Sequence, residues 1–505
     1  MTPEYIVVQA GGKGTRLGKH TRNKPKCLVP HNNLPVIFHL FRRFPEGKFI
    51  IIGDYKHGVL SKYLEAFAEV KYLITRASGT GTCAGVKDAL ELIPPGVPFT
   101  LIWSDVILSP AVRMPESGDS NYLGVSKSFE CRWSFFEGAF EEKPSKGNGV
   151  GGVFIFKNKA VLENVPGEGE FVRFLSTSGI PFKALSLAES EEVGTLDALN
   201  ASSEFRCRSF NRLEISAAAV SKIPLNEQGK KLAEREIAWY REAEKRHFAN
   251  IPKITAESPL TMKRIKGRNI FRAELDEGEK KKVIDNIAAS LSALHGTGRT
   301  GVDYFSVKEA YYTKTIKRLE KVRALVPFAN SRTIVVNGKP RRNIFFYREA
   351  FLSLVEKLLY KTTFSFIHGD CTFSNMMVTD DLSVIFLDPR GYFGFTEIYG
   401  DTAYDWAKVY YSLNGDYDQF NNGNFDLSFG DGSVELKIET SGWKDLSGYF
   451  LSRIPDHGAE RIRFIHAIIW LSLTTYIWED YDAICGAFYN GLLLIDDFLE
   501  GTEHD

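Results

Sequence analysis

Cysteine is scarce in this chain: six residues in 505, scattered as Cys27, Cys83, Cys131, Cys207, Cys371 and Cys485, with no C-x-x-C pair. That excludes a disulfide-built scaffold and a cysteine-ligated zinc site, and it fits reduced thiols in a cytosolic protein. Net charge is missing as well. Lys+Arg and Asp+Glu stand at 63 each, so no global field attracts nucleic acid or an anionic membrane, and any anion binding must be local. Long apolar runs are absent. The most apolar late stretch, Phe464 to Trp478, contains His466, Ser472, Thr474 and Thr475; it is short for a membrane span and reads as a buried helix. The first residues lack the basic-then-apolar pattern of a secretory signal. These absences predict a cytoplasmic protein with no membrane insertion and no nucleic-acid partner. They leave oligomerisation open.

What is present is ordinary globular material, 44% apolar and 25% charged, at a length that calls for two or three domains. Residues 1–205 alternate β-rich runs (YIVVQ, KFIIIG, KYLIT, FTLIWSD, NYLGVSK, GGVFIF, PFKALSL) with helical patterns such as VLSKYLEAFAEV and AGVKDALELI. Strand–helix alternation predicts a Rossmann-like α/β domain with a mostly parallel sheet, and ligands at the carboxyl ends of its strands. From 206 to 505 the texture changes. A small mixed lobe over about 206–265 holds FNRLEI, AAVSKIP and the charged helix LNEQGKKLAEREIAWYREAEKRHF. A mainly helical lobe follows over about 266–505, interrupted by the strand pair NMMV and VIFLD. SPLTMKRIKGRNI reads as the hinge between the lobes, GEKKK (278–282) as a solvated helix face, and NGDYDQFNNGNFD (414–426) as a loop.

The first candidate site is AGGKGTRLG, directly after the first strand. A dinucleotide fingerprint fails there, because Leu17 stands at the third glycine position and no acidic residue occurs between Gly18 and Pro45. A P-loop fails too, since Lys13 is followed by Gly14. A third reading fits. Gly11, Gly12, Gly14 and Thr15 let the main chain approach a triphosphate, and Arg16 and Lys26 supply the charge to hold it and to neutralise the transition state.

AGGKGTRLG followed by Pro25-Lys26-Cys27-Leu28 resembles the signature of the sugar-1-phosphate nucleotidyltransferases, or NDP-sugar pyrophosphorylases, whose domain is GT-A-like. Five further segments agree in order. Gly81-Thr82-Cys83-Ala84-Gly85 resembles the family's base-contacting G-T-A segment. Ser104-Asp105 stands where Gly-Asp is usual, the aspartate holding Mg²⁺. Glu142-Lys143-Pro144 and Gly151-Gly152-Val153 resemble the sugar-phosphate-binding segments, with Lys143 and Gly152 as substrate contacts. Glu192-Val193-Gly194-Thr195 falls where D-x-G-T is usual, so Glu192 becomes the second metal ligand. The resemblance covers about 200 residues. It implies in-line attack by a sugar-phosphate oxygen on the α-phosphorus of CTP, UTP or GTP, with pyrophosphate leaving and no protein nucleophile.

The second candidate site is FSFIHGDCTFSNMMVTDDLSVIFLDPRG. Asp370 and Asn375 lie in H-G-D-x-x-x-x-N, and a hairpin through TDDLS carries Asp388 back beside Asn375. Three oxygen-bearing side chains thus meet at one place. One can deprotonate a hydroxyl, and two can ligate Mg²⁺ on a nucleotide. Upstream, Lys222 in AAVSKIP and Glu236 in EREIAWY suit the strand lysine and helical glutamate of such a site, with Glu234 as the alternative glutamate.

This region resembles the aminoglycoside phosphotransferase and choline kinase family, which has a two-lobed, protein-kinase-like α+β fold. The resemblance implies that Asp370 is the catalytic base, Asn375 and Asp388 are metal ligands, and Lys222 is an ATP phosphate contact held by Glu236. His368 and His295 are structural on this reading. Arg390, a candidate substrate contact, and Asp401 or Asp405 order the loop after Asp388. Taken together, the two resemblances imply a bifunctional enzyme. ATP first phosphorylates a small sugar or polyol, and an NTP then converts the ester into an NDP-linked product for surface-glycan assembly, such as capsule or lipopolysaccharide. The alternatives are choline kinase coupled to phosphocholine cytidylyltransferase, with an amino-alcohol substrate, and one domain acting as a non-catalytic binding module.

Overall fold

The computed structural model describes residues 3–115, 120–200, 211–454 and 458–500. The chain divides into two compact units, one of Met1–Arg206 with Glu479–Tyr481, the other of Cys207–Trp478 with Asp482–Asp505. The expected boundary at 205/206 lies outside the described residues.

In the first unit, β-branched runs with both faces buried form the centre of a nine-stranded sheet. Four parallel strands stand in the order Phe99–Trp103, Tyr5–Gln9, Lys48–Ile52, Lys71–Thr75. The chain moves outward from Tyr5–Gln9 through two crossovers, carried by the helices Val36–Arg43 and His57–Phe67. Its third crossover, through helix Thr82–Glu91, returns it to the other side of Tyr5–Gln9. Gln9 pairs level with both Ile52 and Trp103, so the carboxyl ends of these strands form one rim at the point where strand order reverses.

The sheet is mixed rather than mostly parallel. Gly149–Phe156 joins Phe99–Trp103 antiparallel, and also runs antiparallel to Asn121–Ser126 and to Ser134–Phe136 of the Ser134–Glu141 hairpin. No helix separates the Asn121–Ser126, Ser134–Glu141 and Gly149–Phe156 segments, and connections this short permit only antiparallel neighbours. The core under the rim is aliphatic and aromatic, with Val7, Ile50, Leu101, Phe154, Phe156 and Phe171 buried together.

The second unit opens with an antiparallel sheet in the order Asn211–Ile215, Ala219–Pro224, Leu260–Lys263, Ile254–Glu257. Its first turn is closed by the Ser216 hydroxyl, which accepts from Ala218 N (3.3 Å) and Ala219 N (2.9 Å) in place of a glycine-rich loop. Helix Glu227–Lys245 packs on this sheet, started by Asn226, whose side chain accepts from Gly229 N. The hinge expectation meets a short strand, Arg268–Asn269, that pairs with Met376–Val378 of the hairpin completed by Val384–Phe386.

Helices dominate the rest, including Glu277–Gly296, Thr402–Leu413, Ala459–Leu473 and Tyr481–Leu499. The expected buried helix over Phe464–Trp478 is helical and buried to Leu473 and ends there. Two features depart from expectation. A four-stranded sheet in the order Lys339–Arg342, Thr333–Val336, Ser433–Ile438, Phe425–Phe429 is set into the helical lobe. The supposed loop 414–426 also contains helix Tyr417–Asn421 and enters strand Phe425–Phe429, because Phe420 stacks on Phe425 at 4.4 Å and packs on Trp470 at 4.9 Å. Among the described residues no helix is long and apolar enough to cross a membrane.

Candidate active sites

A cavity of about 520 Å³ lies on the rim of the first unit. Nine sequence-predicted residues line it together: Gly11, Gly12, Gly14, Thr15, Arg16, Lys26, Gly81, Thr82 and Asp105. The glycines are used in different ways. Gly14 has φ 62°, a left-handed start for the short Thr15–Thr21 helix. A Cβ at Gly11 would come within 2.6 Å of Asp54, and one at Gly81, whose φ is 84°, within 2.4 Å of the Gly169 carbonyl oxygen. A Cβ at Gly12 would meet no protein atom within 4 Å, so that position borders open cavity.

Lys26 is carried by a 3₁₀ turn, Lys26–Leu28, anchored by the fully buried Cys27 and Leu28, and its ammonium pairs with the Asp105 carboxylate. The two-residue strand Glu191–Glu192 pairs antiparallel with Val106–Ile107, and Val193 N donates to Asp105 O at 2.8 Å. That register sets Glu192 beside Asp105. Arg16 reaches Glu192 at 3.8 Å. Burial, and then the Asp105 charge, push the Glu192 carboxyl above its ordinary pKa against the pull of Lys26 and Arg16. Two adjacent carboxylates offering only oxygen donors fit a hard cation that completes its shell with water and phosphate oxygens. No larger acidic or histidine cluster exists among the described residues.

The expected sugar-phosphate contacts separate here. Gly152, with φ 73°, lies so close over Trp103 that a Cβ would sit 2.4 Å from the indole, and Trp103 lines the cavity. Lys143 is exposed and is not among the lining residues, while Glu142 is tied to Arg132 and, at 2.7 Å, to Arg173. Four lining residues were not anticipated: Gln9, Ile52, Asp54 and Trp103. The first and last close their strands, and only the level register reveals that they face one space.

In the second unit the remote charges converge. Lys222 Nζ lies 2.7 Å from Glu236 and 2.8 Å from Asp388, whereas Glu234 is exposed. Burial opposes the Lys222 charge, but Asp388 and Glu236 outweigh it and raise its pKa. Burial and Asp388 push Glu236 upward despite Lys222, and its Oε1 is buried without a hydrogen-bond partner. Leu387 N donates to Asn375 O (2.8 Å), so the hairpin delivers Asp388 beside Asn375 as its spacing predicts. Asp388 takes φ 53°, and more than half of its side chain is exposed. Asn375 Nδ2 donates to Asp370 Oδ2 at 3.0 Å. Lys408 Nζ holds the other Asp370 oxygen at 2.7 Å. Burial works against ionisation of Asp370, but Lys408 and then Arg390 and His368 prevail and hold its carboxyl below the usual range. The oxygens of Asn375 and Asp388 fit Mg²⁺, which when bound would neutralise nucleotide phosphate charge.

The loop carrying Asp370 is braced from below. Asp405 accepts from His368 N (2.9 Å) and Gly369 N (2.6 Å) and pairs with His295 (3.0 Å), so it orders the segment before Asp370 rather than the loop after Asp388. Asp401 caps helix Thr402–Leu413 and binds Tyr311 and Arg461, each at 2.7 Å. Arg390 does tie the segment after Asp388 to the loop, its N donating to His368 O at 2.9 Å. His368 is fully buried, its Nδ1 accepting from Asp370 N. Sequence reasoning missed Asp418, which accepts from Ser374 N at 3.0 Å, and Lys408. The signal for Lys408 was available: it is the one cation in a twelve-residue helix whose other side chains are all buried.

Residues 208–424 match the family model described as the phosphotransferase enzyme family, APH. The second unit carries an APH-family phosphotransferase domain. That match and the α/β sheet of the first unit agree with the fold class expected from the strand–helix alternation and the kinase-family resemblance. No curated protein matches the chain by sequence. Among solved structures, the inositol-1-phosphate CTP transferase from T. maritima is similar at 17% identity, over 40% of this chain and 93% of its own, with a TM-score of 0.34. HddC from Yersinia pseudotuberculosis is similar at 20% identity, over 39% of this chain and 97% of its own, with a TM-score of 0.33. The CTP:phosphocholine cytidylyltransferase from Streptococcus pneumoniae (LicC) is similar at 16% identity, over 39% and 96%, with a TM-score of 0.32.

Proposed function

We propose that the chain is a bifunctional enzyme that phosphorylates a small sugar or polyol with ATP and then joins the ester to a nucleotide. What carries the reading is that each unit gathers a phosphate-handling set of charged and polar side chains from distant parts of the sequence: Lys222, Glu236, Asp370, Asn375 and Asp388 in one, Arg16, Lys26, Asp105 and Glu192 in the other. In the first reaction Asp370 accepts the acceptor's hydroxyl proton. That oxygen bonds to the γ-phosphorus of ATP as the bond to the β,γ-bridging oxygen breaks, and ADP leaves. Lys222, steadied by Glu236, holds the ATP phosphates, while Asn375 and Asp388 are the ligands for magnesium.

In the second reaction a phosphate oxygen of the ester bonds to the α-phosphorus of CTP, UTP or GTP, and pyrophosphate leaves. Gly11, Gly12, Gly14 and Thr15 admit the triphosphate, Gly81 and Thr82 border the base, and Arg16 and Lys26 offset the charge that builds on the phosphorus oxygens. Asp105 and Glu192 are the magnesium ligands there. Lys143, with Gly152 shaping the wall, contacts the sugar phosphate once substrate is bound. Dependence on ATP and a second NTP puts this work in the cytoplasm, and an NDP-linked product suits surface-glycan assembly.

Separate substitution tests the assignment. Asp370→Asn should abolish ATP-dependent ester formation and leave nucleotidyl transfer from supplied ester intact, and Asp105→Asn should do the reverse. Mass spectrometry of ATP plus each NTP with a panel of acceptors reads both. If either variant removes both half-reactions, or neither, the two-site reading fails.

A further inference from the structure

Beside Asp370, the second unit holds more positive charge than ATP chemistry uses. Arg390 has no carboxylate within ion-pair distance among the described residues; its guanidinium donates to the phenolic oxygens of Tyr404 (2.8 Å) and Tyr392 (3.2 Å). Arg318, on helix Lys314–Val322, donates to the Ser472 carbonyl oxygen at 2.5 Å and has no acidic partner among the described residues. The Lys314 ammonium, one turn earlier, makes no hydrogen bond or ion pair among the described residues. Lys408 completes the group and is spent on Asp370. The ring of Tyr311, in the turn just before Lys314, meets at 6.1 Å the ring of Tyr404, which Arg390 holds and which stands one turn before Lys408 on helix Thr402–Leu413, so these charges bear on one another. After burial, Arg390, Arg318 and Lys408 are what lower the Lys314 pKa well below its ordinary value, with Glu309 opposing, and Arg390 acts the same way on Arg318. Arg390 N donates to His368 O at 2.9 Å, two residues before Asp370, and Lys408 holds Asp370 at 2.7 Å, which locates the group at the phosphotransfer carboxylate.

The half-buried charges of Lys314 and Arg318, without carboxylate partners among the described residues, raise the energy of the unliganded fold, and an anion that enters between them and Arg390 repays that cost. The backbone is also specialised at this point. A π-helical turn, Glu309–Thr313, separates helix Tyr304–Lys308 from helix Lys314–Val322, and such turns re-aim the side chains that follow. We propose that this cluster is the acceptor pocket of the kinase site, and that the acceptor alcohol carries a carboxylate or phosphate group bound by Lys314, Arg318 and Arg390. The inference rests on the kinase reading above and narrows it. It also disfavours choline and amino-alcohols. A quaternary ammonium needs free aromatic faces, yet the Tyr392 ring is already flanked by the guanidinium of Arg390 at 4.6 Å and that of Arg235 at 4.9 Å.

The test measures ADP release by the full-length protein with ATP and Mg²⁺ in four arms: neutral sugars and polyols, choline and ethanolamine, hydroxy and sugar acids, and sugar or polyol phosphates. Turnover should be fastest in the third or fourth arm, and which of the two identifies the anion. Arg318→Gln and Lys314→Gln should each raise the acceptor KM about tenfold or more while the ATP KM stays within about twofold, the loss of one charge-assisted contact. Faster turnover with a neutral or cationic acceptor, or an acceptor KM that neither variant changes, overturns the inference while the kinase reading survives. Calorimetric titration with glycerate and glycerol 3-phosphate, in the presence of a non-hydrolysable ATP analogue, covers the case of no turnover in any arm. Binding that the double variant abolishes upholds the anion site, and the missing turnover then counts against the kinase reading alone. An absence of binding, or binding the double variant retains, overturns the anion site.

Discussion

Lys408 and Asp370 form a 2.7 Å ion pair, with the lysine largely shielded from solvent. A base that must take a proton from a hydroxyl is thereby kept ionised, and its second oxygen is aimed by Asn375. The partner of the lysine is the reacting carboxylate itself, so Lys408 acts by positioning and by field. Removing it raises the Asp370 pKa, because the cation that favours the carboxylate is gone and burial, which disfavours it, remains. The acid limb of the acceptor kcat/KM profile should therefore move to higher pH in Lys408→Met, by about one unit or more for a lost adjacent charge. A pH–rate profile checks this. A limb that stays in place would mean that Asp370 does not govern it.

Gly12 and Gly81 both line the nucleotide cavity, and they should fail differently when enlarged. Gly81→Ala puts a side chain at φ 84° and within 2.4 Å of the Gly169 carbonyl oxygen, so it should cost about 1–3 kcal/mol of stability through backbone strain. At Gly12 an added methyl touches no protein atom and projects into the cavity. Gly12→Ala should stay within about 0.5 kcal/mol of the parent in urea unfolding while weakening NTP binding about tenfold or more. Comparing unfolding midpoints with nucleotide titrations separates the two.

The contrast between those glycines and Lys408 shows what the sequence could carry. AGGKGTR and HGDCTFSN are local: their spacing along one turn or one hairpin already fixes which atoms meet, and the cavity and the Asp370–Asn375 contact follow. Lys408 and Asp54 act across space, on partners dozens of residues away, and only the packed tertiary structure brings them in. Lys143 shows the converse, since its E-K-P segment is legible but its side chain remains outside the cavity lining. The inserted sheet of the helical lobe had one local signal, Asn337-Gly338, where both residues take positive φ in the tight turn between Thr333–Val336 and Lys339–Arg342. The pairing of Thr333–Val336 with Ser433–Ile438, about a hundred residues on, left no comparable mark.

His466 supplies a pH dependence of stability unrelated to either reaction. It is buried, accepts from the Trp470 indole at 2.9 Å, and burial followed by Lys444 lowers its pKa from 6.5 to about 3. The unfolded chain protonates this imidazole near 6.5 and the folded chain does not. The contribution is therefore complete above that value and is lost progressively as pH falls toward 3. Between pH 6.5 and 5 this one group should cost about 2 kcal/mol at 1.36 kcal/mol per unit. Urea unfolding at the two pH values measures the loss, and His466→Gln, which can still accept from Trp470, should flatten that part of the profile.

Lys222 stands between Glu236 and Asp388, and the three should respond as a unit. Lys222→Met leaves the buried Glu236 carboxyl without its counter-charge and facing Asp388, so stability should fall by about 3 kcal/mol, as for breaking one side of a buried pair. ATP-dependent kcat/KM should fall by about a hundredfold, the worth of a charge held on a transferring phosphate. Glu236→Gln should lower activity about tenfold, because it loosens the lysine without removing it. The double variant is decisive. With the lysine absent Glu236 has nothing to position, so Lys222→Met/Glu236→Gln should be no less active than Lys222→Met alone, and it should recover stability because no unpaired charge remains at position 236. Initial rates and urea unfolding across the four proteins test this. Additive losses in activity would mean that Glu236 contacts the nucleotide site by some route other than Lys222.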